Sequence, residues 1–294
     1  MDPLIALMVL VSAALHPLWN ALIKRDGQPE AGFLAMICML MVLGGTHSLV
    51  AGHDLLAAWR HGHLIVMSAA GQVLYGSLLA LTLRRGDLST YYPIIRSSPV
   101  FIVAVGLATG ASYGAVLLAG IAMVVAGAFF LQFRPGARLL SDPATLLMAL
   151  GAMAGTGIYS ISDSALMREI EPPVLFFWIE ILDLPCLVVV FTLLARRTGG
   201  PGTSLARSAA GLFQWLRTPL RYAATGVICY ASYFLILLAF QRGGDVAAVA
   251  AVRQASIPFS VLIGGLWLKE ARLVQRLAAS AVLAAGIVVI VLSP

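Results

Sequence analysis

The chain has 294 residues, 60% hydrophobic and 11% charged, with a mean hydropathy of +0.94. That mix excludes an ordinary soluble domain, where charged residues make up about a quarter of the chain. The net charge of +6 is spread over short connections instead of a basic patch, so no nucleic-acid partner is expected.

Apolar stretches of about 20 residues, each able to cross roughly 30 Å of hydrocarbon, recur from end to end. The first, Leu4 to Ile23, opens with Asp2 rather than a basic run, and it reads as a retained helix instead of a signal peptide. Its His16, Trp19 and Asn20 stand at i, i+3 and i+4 on one polar stripe. They either line a cavity, with Trp as a wall, Asn as a hydrogen-bonding group and His as a titrating group, or fix helix packing.

Gly32 to Val50 and Leu64 to Leu83 follow, and their link holds His53, Asp54, His61 and His63, expected as solvated interfacial groups and not metal ligands. Gln72 and Tyr75 fall in the third span. The fourth, Ser89 to Gly110, contains Arg96, with Tyr92 and Pro99 on the same face. Gly110 to Gly114 spells GASYG, which matches a hydrolase elbow but lacks the strand, turn and helix that motif needs. It reads as a tight turn into the fifth span, Tyr113 to Phe133, where Gly120 and Gly127 form a packing seam.

The second set comprises Ala144 to Met167, Pro173 to Leu194, Leu220 to Gln241, Val246 to Leu268 and Leu273 to Leu292, with a Gly/Pro/Ser-rich loop from Ala195 to Pro219. Gly151 and Gly155 make a small-xxx-small pair. Asp163, Glu180 and Asp183 lie within these spans, and Arg253 shares a face with Ser256 and Ser260. Cys38, Cys186 and Cys229 fall in apolar spans, where a thiol behaves as a small hydrophobe.

Most of the 19 lysines and arginines lie at the exits of odd-numbered spans; Arg60, Arg168 and Arg242 lie on the other side. The positive-inside rule then puts both termini in the periplasm of a multi-pass cell inner membrane protein. An offset of about 158 residues aligns Gln72, Tyr75, Arg84, Gly86 and Asp87 with Tyr230, Tyr233, Arg242, Gly244 and Asp245. Allowing for single gains and losses, Pro99, Gly106 and Gly127 align with Pro258, Gly265 and Gly286, and Arg96 aligns with Arg253. Five spans per copy is an odd number, so the expected fold is all-α, with ten transmembrane helices in two inverted five-helix repeats, 1–136 and 137–294.

Three stretches, Tyr91 to Pro99 (YYPIIRSSP), Arg253 to Glu270 (RQASIPFSVLIGGLWLKE) and Leu15 to Asn20 (LHPLWN), make the chain resemble EamA-like permeases of the drug/metabolite transporter superfamily. The resemblance implies a central cavity lined by the first four helices of each repeat, with the fifth outside. One departure is that Glu270 has Ala111 as its first-half counterpart.

Charge near the bilayer centre costs about 3 kcal/mol per residue on insertion scales, so intramembrane ionisable groups mark candidate sites. An inverted repeat would bring Arg96 and Arg253 to one cavity, where guanidinium groups suit carboxylate, phosphate or phosphonate. The other possibilities for the arginines are snorkelling to the interfaces or permanent pairing with Asp163, Glu180 or Asp183. Those carboxyls are read as counter-charges or as groups that load and release protons during transport.

The expected function is secondary transport, by alternating access, of a small polar solute that is anionic or zwitterionic, an amino acid or a small organophosphorus compound. Arg96, Arg253, Tyr92, Trp19, Asn20, His16, Ser256, Tyr233 and Tyr75 would form the site. The alternative is a lipid-headgroup flippase or a membrane-embedded enzyme acting on a phosphate-bearing substrate. With no Walker, dinucleotide or HExxH motif, neither enzymatic activity nor a cofactor or metal is expected. The partners are a small-molecule solute and the lipid bilayer, for a monomer or homodimer.

Overall fold

The computed structural model describes residues 1–24, 29–85, 88–132, 142–197, 213, 215–259 and 273–293. Among these the chain is helical, with no strand. The helices are α1 (Pro3–Lys24), α2 (Pro29–Val50), α3 (Gly62–Arg85), α4 (Leu88–Ile95), α5 (Ser98–Ala108), α6 (Ala115–Gln132), α7 (Pro143–Leu166), α8 (Pro172–Arg197), α9 (Pro219–Gln241), α10 (Val246–Val252) and α11 (Leu273–Leu292). Short 3-10 turns cover Ala57–His61 and Arg253–Ala255.

Local chemistry sets the helix ends. Proline opens α1, α2, α7, α8 and α9, where its missing N–H costs no intrahelical bond. Asp142 caps α7: its carboxylate accepts from the Thr145 backbone N–H at 3.1 Å and the Thr145 hydroxyl at 2.5 Å. Asp245 caps α10 in the same way, accepting from the Ala248 N–H at 2.8 Å. Gly110 (φ 92°) and Gly243 (φ 83°) take the left-handed conformation that ends a helix without a Cβ penalty. The GASYG segment is therefore an interhelical turn.

Seven stretches are long and apolar enough to cross a bilayer: Pro3–Ile23, Glu30–Val50, Ala57–Thr82, Tyr91–Ala108, Pro143–Leu166, Pro172–Leu194 and Pro219–Gln241. Ala115–Leu131, Val246–Phe259 and Ala278–Leu292 are apolar but shorter among the described residues. The distribution of polarity is inverted relative to a soluble protein. Leu4, Leu7, Val11 and Leu18 of α1, Phe130 of α6, Leu147 of α7 and Val288 of α11 are exposed, whereas Asp163, Glu180, Asp183, Gln254, Ser68 and Ser256 are buried. Water would reverse that arrangement and lipid favours it, so the chain is a membrane protein.

The helices pair across the chain: α3 lies along α7, α1 along α9, α2 along α8, and α6 along α11, while α3 also touches α8 and α2 touches α9. Small residues permit the closest approaches. A Cβ on Gly155 would sit 2.7 Å from the Tyr75 backbone N and 2.8 Å from the Gly71 carbonyl O, so α3 and α7 meet backbone to backbone. A Cβ on Gly127 would sit 2.6 Å from the Leu283 N, which fixes the α6–α11 seam. Between α1 and α9, the Ser232 hydroxyl donates to the Ser12 carbonyl at 2.9 Å. The Met1 amino group donates to the carbonyls of Val291 and Ser293 at 3.0 and 2.7 Å, so the two ends of the chain lie together.

Two expected spans differ in form. Ser89 to Gly110 is not one helix, because α4 ends at Ile95, Arg96 and Ser97 make a turn, and α5 begins at Ser98. Val246 to Leu268 begins as α10 but tightens at Val252 into the 3-10 turn that starts with Arg253; residues 260–268 of that span lie outside the described residues. The boundary expected between 136 and 137 also lies outside them.

Candidate functional site

The break in the fourth span and the 3-10 tightening in the ninth both fall at the intramembrane arginines, and proline chemistry accounts for them. Pro99 has no N–H to give to the Ile95 carbonyl, and Pro258 has none for Gln254, so each helix loses a ladder bond one turn earlier. The Ser97 hydroxyl donates to the Pro93 carbonyl at 2.7 Å and so helps hold the first break. Non-helical backbone at membrane depth is tolerated where protein or a cavity surrounds it.

From these breaks the two guanidinium groups enter one cluster. Arg96 donates through Nη2 to the Ser256 hydroxyl, a contact between the two halves of the chain. It also lies 5.8 Å from the Tyr92 ring centre. Arg253 lies 5.0 Å from the Tyr233 ring centre and interacts electrostatically with Tyr159. The rings of Tyr75 and Tyr159, and of Tyr159 and Tyr233, stand edge to face at 6.3 Å. His16 and Tyr75 both feel the charge of Arg96 and of Arg253. His16, Tyr75, Tyr92, Arg96, Tyr233 and Arg253 all remain partly accessible although they sit mid-bundle.

Trp19 and Asn20 reach this cluster through His16. The Trp19 ring meets the His16 ring edge to face at 4.8 Å. The Asn20 amide donates to the His16 carbonyl at 3.2 Å, a bond within its own helix.

The acidic groups form a separate pole. Asp163, fully buried, accepts from the Ser68 and Tyr233 hydroxyls, one on each carboxylate oxygen. Glu180 is 6% and Asp183 2% exposed, and Asp183 Oδ1 has no hydrogen-bond partner. Glu180 lines a small cavity with Gln72, Phe176, Ile179 and Tyr233. Among the described residues no carboxylate lies within 4.0 Å of either intramembrane arginine. Tyr233 touches both poles, with its ring at Arg253 and its hydroxyl on Asp163.

Sequence reasoning missed Tyr159 and Ser68. Tyr159 stands one turn before Asp163 on the same face, a spacing that could have flagged it; Ser68 carries no such local signal. In the link before α3, Asp54 accepts from the Leu56 and Ala57 N–H groups at 2.8 and 3.1 Å, while His61 meets Glu169 at 3.7 Å. Ser260 and Glu270 lie outside the described residues.

Among known proteins, no family model and no curated protein matches the chain. It is similar to a solved structure described only as "Crystal structure of protein", with a TM-score of 0.72 and 17% identity over 98% of this chain and 96% of that one. At that identity the likeness concerns the fold alone.

Proposed function

We infer that the protein is a secondary carrier of the EamA-like kind. It moves a small anionic or zwitterionic solute, an amino acid or a small organophosphorus compound, across the cell inner membrane. The observation that carries this reading is the meeting of Arg96 and Arg253 inside the bundle, the first at a helix break and the second at a 3-10 turn, with neither paired with a carboxylate among the described residues. A guanidinium placed at that depth without an anion is expensive, and a solute carboxylate or phosphonate would supply one.

The helix pairings support alternating access between two inverted repeats of five spans, 1–136 and 137–294. Number the ten spans in order, counting α4 with α5 as the fourth and α10 with the turn after it as the ninth. Exchanging each span for the one five places on turns α3–α7 into α9–α1, and α3–α8 into α9–α2. It returns α2–α8 and α6–α11 to themselves. An inverted duplication has this consequence, and so does a substrate site on the axis between the copies. Termini that lie together fit an even number of crossings, with both ends on the periplasmic side by the positive-inside rule.

The test is counterflow in proteoliposomes. Solutes that stabilise the purified protein are loaded inside and exchanged against label outside. Exchange that is present in the parent and lost in Arg96→Gln and Arg253→Gln variants of parental stability supports the carrier. Covalent product formed in detergent without any gradient would make it an enzyme instead, and movement of labelled lipid alone would make it a flippase.

A further inference from the structure

The geometry points to a second site on the other side of Tyr233 from the arginines: a proton-binding site on Glu180, which the carrier reading would use for coupling. The role in coupling rests on that reading; the occupancy of Glu180 by a proton does not.

Glu180 stands eight residues after Pro172, about 12 Å along α8. It is the ionisable residue among those lining the cavity with Gln72 of α3, Phe176 and Ile179 of its own helix, and Tyr233 of α9, apart from the tyrosine itself. Each element packed around it contributes a neutral or acidic group: Cys38 from α2, Asp163 from α7, Asp183 from one turn further along α8, and Cys229 and Tyr233 from α9. No cationic side chain lies within ion-pair distance of it among the described residues. Arg253 acts on Asp163 and Cys229 and not as a partner of Glu180.

The three carboxyls differ in what they can hold. Asp163 is satisfied as an anion, because each oxygen accepts from a hydroxyl. Glu180 receives no side-chain hydrogen bond among the described residues, and Asp183, 2% exposed, leaves Oδ1 unpartnered. Two carboxylates one turn apart, buried and without donors or cations, cannot both stay ionised. A proton taken from water forms the O–H bond of Glu180, and breaking that bond returns it to water; no other bond changes. Glu180 is the better bearer than Asp183 because Glu180, and not Asp183, lines the cavity.

Dicyclohexylcarbodiimide tests this, since a protonated carboxyl adds across its C=N bond and rearranges to a stable N-acylurea. The purified full chain is treated near neutral pH and in alkaline buffer, and adducts are assigned by peptide mass spectrometry. At least about tenfold more adduct is expected at Glu180 than at Glu169 and Glu171, because those are exposed whereas Glu180 is buried in the apolar bundle where this apolar reagent concentrates. Labelling at Glu180 should fall in alkali and stay the same when sodium chloride replaces choline chloride. Absence of adduct at Glu180, or labelling no greater than at Glu169, overturns the proposal. Suppression by sodium also overturns it, by making the site one for a metal cation. The assignment is made on the wild-type chain, so it does not depend on Glu180→Gln folding. It also needs no solute, so a labelled Glu180 in a protein that fails counterflow would sink the carrier reading and leave the proton site standing.

Discussion

Replacing Gly155 with alanine puts a methyl group 2.7 Å from the Tyr75 backbone N and 2.8 Å from the Gly71 carbonyl O, where 3.4 Å begins ordinary contact. Neither obstacle is a side chain that can rotate, so α3 and α7 must separate by about 0.7 Å at this level. Gly151, one turn earlier in α7, is the matched control: a Cβ there meets the Leu78 Cδ1 at 2.4 Å, a methyl at the end of a flexible side chain. Both substitutions gain the same helix propensity, about 1 kcal/mol, so it cancels in the comparison. The difference left is the cost of forced overpacking, about 1–3 kcal/mol. At roughly 2–4 °C per kcal/mol for chains of this order of size, Gly155→Ala should melt several degrees below Gly151→Ala in the same detergent. Because Tyr75 and Tyr159 flank the widened seam, Gly155→Ala should also weaken stabilisation by any bound solute. Equal midpoints for the two variants, or a lower one for Gly151→Ala, would refute the backbone contact and the helix pairing built on it.

Tyr233→Phe keeps the ring against Arg253 and the cavity wall but removes the hydroxyl from Asp163. A hydrogen bond to a charged group contributes about 1.5–3 kcal/mol, and the thermal midpoint should fall accordingly; a double-mutant cycle with Ser68→Ala should be non-additive, because both hydroxyls serve one carboxylate. Ser256→Ala takes the acceptor from Arg96 and should lower stability by about 1.5–3 kcal/mol, and parental stability would mean the contact between the halves carries nothing. Asp142 lies outside the spans, and its hydrogen bonds from Thr145 hold its carboxyl below the usual carboxylate range. A depressed folded-state value gives stability that is present above the ordinary carboxylate range and lost as pH falls through the folded value. The stability advantage of wild type over Asp142→Ala should therefore shrink in acid; an advantage that grows as pH falls would contradict the cap.

Much of the fold was legible because lipid imposes a coarse code: length and apolarity mark a span, and Pro, Asp and Gly mark its ends. The stretch Tyr91 to Pro99 pointed to Arg96, and the offset pointed to Arg253 as its counterpart. The interruptions at those arginines were legible only in part: Pro99 and Pro258 each remove a backbone donor and can kink a helix one turn earlier, but the apolar pattern runs through 98–108 without a gap. The turn there depends on the missing proline N–H together with the Ser97 bond to the Pro93 carbonyl. The different states of the three carboxyls were also hidden. In sequence Asp163, Glu180 and Asp183 look alike, but Asp163 is distinguished by hydroxyls 95 and 70 residues away, and no local period encodes such a partnership. Nor does the sequence show that Tyr233 links the two poles, with its ring at Arg253 and its hydroxyl on Asp163.

The central claim is that Arg96 and Arg253 together hold the solute, and ligand-induced stabilisation of the purified protein tests it most directly. Wild type, Arg96→Gln and Arg253→Gln are melted with a panel of carboxylate, phosphonate and zwitterionic metabolites. A solute at 100 times its dissociation constant stabilises by about 2.7 kcal/mol. At least one metabolite should raise the wild-type midpoint and leave both variants unmoved; a metabolite that stabilises all three equally would contradict the account.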